Sequence, residues 1–370
     1  MTRSLVLHLG DHKTGSTAIQ RALADHAWQG APGGPEIFYT AKGNHNTLAQ
    51  TLLPDAPAQQ QRRRFANHAA RIAASGAGIA VLSAEEFERV NPEAVATMLR
   101  QHFPEHADSA RLIAYVRPHA ERLVSSYAER VKQGYFLGSL EELYAKVGTT
   151  PLLRYTPRFR KWRAVFGDRF ELRPMIRAGL HNGCVVQDFL RYTLEGAPFT
   201  LTRPVESNRS LSLEDLAMMR ALQSVLGQGR TPPAKGQNAI GWQFATILGG
   251  LEGGGGTKLR AHRSLIAQLQ QDCRKDAETL DAEFFAGHPL GQPMTQALDR
   301  AGADALEAPQ SLDLDACFPP DEAHRLRAWI SLLHRMYLHD PEIWPGHLRH
   351  IRPQEDAGPD AGQDGDAAQD

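Results

Sequence analysis

The chain has 370 residues, 42% of them hydrophobic and 22% charged, with a formal net charge of −1. This is the make-up of an ordinary globular protein of one large or two medium domains; it sets up no global field for nucleic acid, so affinity for anions must come from local sites. The three cysteines, Cys184, Cys273 and Cys317, are scattered without a C-x-x-C pair, and no apolar run approaches the length of a membrane span, so a disulfide framework, a zinc site and a transmembrane segment are not indicated.

The first apolar run, Leu5–Leu9, predicts a strand. It leads into Gly10-Asp-His-Lys13-Thr-Gly15-Ser16-Thr17, and a helical pattern starts at Ala18. Strand, Gly-rich turn and helix together make an anion cradle. Backbone N–H groups of the turn and first helical turn point at a phosphate, and the helix dipole favours its charge. Thr14, Gly15, Ser16 and Thr17 are the candidate binding residues, and Lys13 can sit on a bridging or leaving oxygen. The order departs from the nucleoside-triphosphate loop G-x-x-x-x-G-K-[ST], because Lys13 comes two residues before Gly15.

Residues 31–57 are rich in Gly, Pro and Asn and read as a loop able to close over a site, with Asn44-His-Asn46 as its polar tip. A helix is expected over 59–74, with the Arg62-Arg-Arg64 run as a solvated face. The second strand, Ile79–Leu82, ends in Ser83-Ala84-Glu85-Glu86, acids that either do chemistry or cap a following helix. The third, Leu112–Val116, runs into Arg117-Pro118. An Arg at a strand end offers a rigid fork for a phosphate, Pro118 suits a first helical turn, and Ser125 follows two turns after Arg117.

A helix over 155–166 precedes the fourth strand, Phe170–Pro174. Alternation of this kind predicts a parallel sheet covered by helices, with ligands outside the carboxyl ends of its strands. Another helix spans 183–194, with Val185, Val186, Phe189 and Leu190 on one face. Ser212 is an N-cap candidate with Asp215 three residues on. Residues 203–344 read as mostly helical, interrupted at Pro232-Pro233 and at the Gly run 249–256. In the helix 321–338, Leu326, Trp329, Leu333 and Tyr337 recur at helical spacing and read as core packing. The tail 353–370 has six acids and no base, the composition of a disordered segment. The domain division expected is 1–200 as an α/β core, 201–350 as a helical part and 351–370 as an acidic tail.

The segment L-x-H-x-G-x-H-K-T-G-S-T-x-I-Q resembles the 5′-phosphosulfate loop of sulfotransferases, closest to the bacterial carbohydrate-type branch. Arg117 and Ser125 have the spacing of that family's 3′-phosphate-binding pair, Tyr127 stands where the family commonly has an aromatic, and the segment from Asn208 to Ser212 is similar to one its bacterial members carry. The resemblance implies an α/β fold, a P-loop-like three-layer sandwich with a central parallel sheet and a largely helical C-terminal part. It implies in-line transfer of a sulfuryl group from 3′-phosphoadenosine 5′-phosphosulfate (PAPS) to a hydroxyl or amine of a saccharide or glycan, with no required metal. Lys13 would meet charge on the departing phosphate, and Arg117 with Ser125 would grip the distal 3′-phosphate. The family places its base at a position comparable to Glu85; Glu86 and His12 remain the other candidates, and His8 on the strand reads as a core histidine. Arg130, Lys132 and Tyr135 are candidates for the acceptor or plain solvated side chains. A P-loop kinase or nucleotide hydrolase, or a non-catalytic nucleotide-binding relative, are the competing readings. A cytoplasmic location is expected from the cysteine usage and the missing membrane span.

Overall fold

The computed structural model describes residues 4–204, 210–227, 233–251 and 256–348. Its strands are β1 (Ser4–His8), β2 (Trp28–Gly30), β3 (Ile37–Tyr39), β4 (Ile79–Ser83), β5 (Arg111–Val116), β6 (Phe170–Pro174) and β7 (Phe199–Leu201). The helices up to the last strand are α1 (Ser16–Ala24), α2 (Asn46–Ala49), α3 (Ala58–Ser75), α4 (Pro92–His102), α5 (His119–Gln133), α6 (Leu140–Val147), α7 (Thr156–Phe166) and α8 (Val185–Thr193). Then follow α9 (Leu213–Gly227), α10 (Lys235–Gly250), α11 (Arg263–Phe284), α12 (Pro293–Ala303), α13 (Leu314–Cys317), α14 (Pro320–His339) and α15 (Trp344–Leu348).

Five strands form one parallel sheet in the order β3-β4-β1-β5-β6, and β2 pairs antiparallel with β7. Val6, Val81, Ile113 and Tyr115 point to one face, where they pack with Ile19 and Leu23 of α1 and with Val186, Phe189 and Leu190 of α8. The alternating residues Leu5, Leu7, Leu82, Leu112 and Ala114 are just as buried on the other face. There Phe159 and Trp162 of α7 stack on Phe170 of β6. Strands buried on both faces read as continuous apolar runs, which is why β1, β4 and β5 were visible in the sequence. The outcome is a three-layer α/β sandwich on a central parallel sheet, as expected.

Two compact units divide the chain discontinuously: 1–127, 138–209 and 259–310 in the first, with 128–137, 210–258 and 311–370 in the second. Residues past 200 therefore contribute to both. In the second unit, α9 starts with the expected cap: Asp215 N–H donates to Ser212 Oγ and Ser212 N–H to Asp215 Oδ2, both at 3.0 Å. Its core is made by Leu222, Leu226 and Tyr337 with Ile240, Phe244, Ile330 and Trp344 around them, and by a second cluster of Ala217 on α9, Leu314 on α13 and Ala323 on α14.

Three expectations need correction. Residues 31–57 are not one loop: Ile37–Tyr39 adds the edge strand β3 beside β4. The polar tip is pinned, because His45 is buried and Asn46 accepts hydrogen bonds from the backbone beyond β4. Along α14, Tyr337 is buried and Leu326 partly so, but Trp329 is 65% exposed and Leu333 38%; the packed line is Ala323, Leu326, Ile330 and Tyr337. The acidic tail, Asn208, Pro232 and residues 252–255 of the Gly run lie outside the described residues. Among the described residues, no helix is long and apolar enough to cross a membrane, and all three cysteines are free thiols.

Candidate active site

β4, β1 and β5 are neighbours in the middle of the sheet, and a candidate group follows the carboxyl end of each. The β1 ladder continues into the loop. Leu9 N–H donates to Ile113 O at 2.8 Å, Tyr115 N–H to Gly10 O at 2.7 Å, and Asp11 N–H to Tyr115 O at 3.0 Å. Beyond it the backbone turns left-handed at Lys13 (φ 65°) and at Gly15 (φ 84°), the residue before α1. Gly15 is required twice over, since a Cβ there would lie 2.7 Å from Val185 Cγ1 as well as straining the backbone. No side chain caps α1, so its first N–H groups remain directed at the loop. The hydroxyls of Thr14 and Ser16 both donate to the Asp11 carbonyl, at 2.6 and 3.2 Å. They fold the loop; what these residues can offer an anion is their backbone N–H.

Two buried ion pairs brace the loop, and neither was read from the sequence. The Asp11 carboxylate is gripped by both terminal nitrogens of Arg158 on α7, at 2.6 and 2.5 Å. Burial raises the Asp11 pKa and the Arg158 fork opposes that rise. Glu88 accepts from both His12 N–H (3.0 Å) and Arg122 of α5 (2.7 and 3.0 Å), and Arg122 also donates to the His12 carbonyl. Burial works against ionising Glu88, but Arg122 and Arg158 outweigh it and hold its carboxyl below the ordinary range. The partners lie 147 and 34 residues apart in the chain, so no local spacing announces them. The only signal was a surplus of charge, Asp11 and Arg122, inside the two motifs.

Past β4 the two acids differ. Glu85 Oε2 accepts from Gln20 Nε2 of α1 at 3.2 Å, and the same nitrogen donates to Ser83 Oγ at 3.1 Å. Ser83 Oγ is in turn 2.7 Å from His8 Nδ1, and burial pushes the His8 imidazole down to about 3, so it stays a neutral partner. The backbone N–H groups of Glu85 and Glu86 both reach Asn46 Oδ1, at 2.9 and 3.4 Å. A Cβ on Gly10, itself at φ 86°, would come within 3.1 Å of Glu85 Cα, so loop and acid lie against each other. Glu86 instead pairs with Arg89 at 3.5 Å. The segment Glu85–Arg89 is a short 3-10 helix, and no α-helix follows until α4. His12 is anchored through its backbone and half-buried.

Past β5, Arg117 is mostly buried and loosely paired: its Nε is 3.7 Å from Glu121 Oε2, and its guanidinium makes no hydrogen bond among the described residues. Burial lowers its pKa from the ordinary arginine value, as it does for any cation short of partners. Its backbone is held by the Tyr155 hydroxyl, which donates to the Arg117 carbonyl at 3.0 Å. Ser125, half-buried on α5, has no side-chain hydrogen bond among the described residues. Tyr127 donates to Gly138 O at 2.8 Å and is structural. Lys132 is committed elsewhere, 2.7 Å from Glu129 and with its Nζ 3.4 Å from the centroid of the Trp242 ring. A cleft of about 420 Å³ lined by Arg111, Arg169, Arg173 and Tyr192 opens by the starts of β5 and β6, the end of the sheet opposite the candidate groups. Among the described residues no group of three His, Cys, Asp or Glu is placed to hold a metal.

No family model matches this chain, and no curated protein does. Among solved structures it is similar to the crystal structure of a sulfotransferase from Alicyclobacillus acidocaldarius, at 14% identity and a TM-score of 0.40, over 77% of this chain and 96% of that one.

Proposed function

We propose that the chain is a sulfotransferase that moves a sulfuryl group from PAPS to a saccharide or glycan acceptor. The observation that carries this reading is the arrangement on three adjacent strand ends: an anion cradle with Lys13 after β1, an under-partnered arginine with Ser125 after β5, and an oriented carboxylate after β4. The residues fit such a donor. The uncapped helix start and Gly15, where no Cβ fits, suit the 5′-phosphosulfate, and the Arg117 fork suits a second phosphate at a distance.

When bound, the donor supplies an activated S–O bond. The acceptor oxygen forms a new bond to sulfur as that bond breaks, the electron pair leaves on the phosphate oxygen, and the acceptor proton goes to Glu85. Lys13 and the N–H groups of the cradle meet the charge that develops on the leaving oxygen. Arg117 and Ser125 fix the donor remotely, so that binding energy away from sulfur aligns the reacting atoms. The Asp11–Arg158 and Glu88–Arg122 pairs keep the loop from relaxing around that charge. Glu85 is favoured as base over Glu86 because Gln20 orients its carboxylate, while Glu86 is tied to Arg89.

The test is turnover of ³⁵S-labelled PAPS against a panel of saccharides. Glu85→Gln should lower turnover by about a hundredfold or more, the range of a lost general base, with nucleotide affinity near wild type. Glu86→Gln should stay within a few-fold of wild type. If Glu86→Gln carries the loss, the base moves by one residue; if neither does, the carboxylate assignment fails.

A further inference from the structure

The strongest feature that the proposed reaction does not use lies on α14, in the second unit. Trp329, Leu332, Leu333 and Met336 are 65%, 47%, 38% and 50% exposed. Their spacing puts all four on one stripe two turns long, which runs alongside the packed line of Ala323, Leu326, Ile330 and Tyr337 and stays exposed. Four large apolar side chains on one exposed line exceed what scattered surface residues account for. The stripe is bracketed on its own line by charges of opposite sign. Arg325 stands four residues before Trp329 and Asp340 four after Met336; both are exposed and neither has an ion pair among the described residues.

We infer that this stripe is the seam of a homodimer, in which α14 packs antiparallel on α14 of a second copy about a two-fold axis between Leu332 and Leu333. The charges choose both the partner and the direction. In the antiparallel pairing Trp329 of each copy meets the other copy's Met336, and each Arg325 meets an Asp340, twice over. A parallel pairing would set Arg325 on Arg325 and Asp340 on Asp340. A surface that complements itself under a two-fold rotation is the signature of an isologous interface. The spacing of 325, 329, 332 and 336 also follows the three-four alternation of helices packed at shallow angles.

Size is consistent with a dimer. At roughly 100 Å² exposed per side chain, the four residues of two copies offer on the order of 800 Å² of apolar surface. The charged ends bring the total to about 1,000 Å², the lower bound for a specific interface, so a dissociation constant in the micromolar range is expected. An anionic membrane fits less well, because the segment 320–343 carries Arg325, Arg327 and Arg335 against Asp321, Glu322, Asp340 and Glu342, with no basic excess.

Sedimentation velocity on the full chain from 1 to about 100 μM tests this. Wild type should shift from monomer to dimer across the range, and Leu332→Glu should remain monomeric with an unchanged melting curve. Arg325→Asp and Asp340→Arg should each weaken association about tenfold or more, and the double variant should restore it. A wild type that stays monomeric throughout, a dimer indifferent to Leu332→Glu, or a double swap that fails to restore association would overturn the inference. So would a monomer that co-sediments with vesicles of phosphatidylcholine and phosphatidylglycerol, which would make the stripe a membrane contact. None of these readouts depends on the sulfuryl-transfer reading.

Discussion

Gln20 is a buried amide on the helix that follows the anion cradle, and its single Nε2 serves both Ser83 and Glu85. Helix α1 thus has two parts in this account: its start faces the proposed donor site, and its second turn orients the proposed base. Ser83 and His8 behind Gln20 set which way the amide points, and the neutrality of His8 keeps a cation away from the carboxylate. Gln20 is a positioning residue in this account, so its effect should pass through Glu85. Gln20→Leu should lower turnover about tenfold, a loss of about 1.4 kcal/mol, with nucleotide affinity unchanged. The combined Gln20→Leu/Glu85→Gln variant should be no slower than Glu85→Gln alone, because residues acting as one unit are not additive. A double variant slower by the full product would mean that Gln20 acts independently of Glu85.

At the level of elements, legibility followed how local the cause was. β1, β4 and β5 were readable because strands buried on both faces are short apolar runs punctuated by turns, β6 because its buried Phe170, Leu172 and Pro174 alternate with half-buried Glu171 and Arg173, and the loop after β1 was readable because its residues are contiguous. The Ser212–Asp215 cap was readable for the same reason. Strand β3 was not, since Ile37–Tyr39 has three residues among glycines and prolines and becomes a strand only by pairing with β4. Nor were the braces: Arg158 and Arg122 are ordinary surface-type residues in sequence and are defined by where the fold puts Asp11 and Glu88. The misread stripe on α14 has a different cause. The helix has two apolar lines, Ala323-Leu326-Ile330-Tyr337 and Trp329-Leu332-Leu333-Met336, and periodicity reports that lines exist without saying which one packs.

For the molecule as a whole, buried neutral imidazoles tie stability to pH. Burial holds His8 at about 3, and burial with the neighbouring His68 does the same to His45; His68, His102, His106 and His288 are lowered in the same direction. In the unfolded chain each titrates near 6.5, so below that pH the unfolded state binds protons that the folded state refuses. Stability should therefore be fully present above about pH 7 and fall as pH drops from 6.5 toward 3, by up to about 1.4 kcal/mol per pH unit for each of His8 and His45. Urea unfolding at pH 7.5 and pH 5.0 measures this, and equal stabilities at the two pH values would contradict neutral burial. The central claim is the donor site, and one measurement tests it most directly: the shift in melting temperature of wild type and Arg117→Ala with 3′-phosphoadenosine 5′-phosphate, beside ADP and ATP with magnesium. A ligand at a hundredfold excess over its dissociation constant adds about 2.7 kcal/mol, enough to move the curve plainly. The account predicts stabilisation by the 3′-phosphorylated nucleotide, lost in Arg117→Ala. Stabilisation by ATP with magnesium, undiminished in Arg117→Ala, would contradict it.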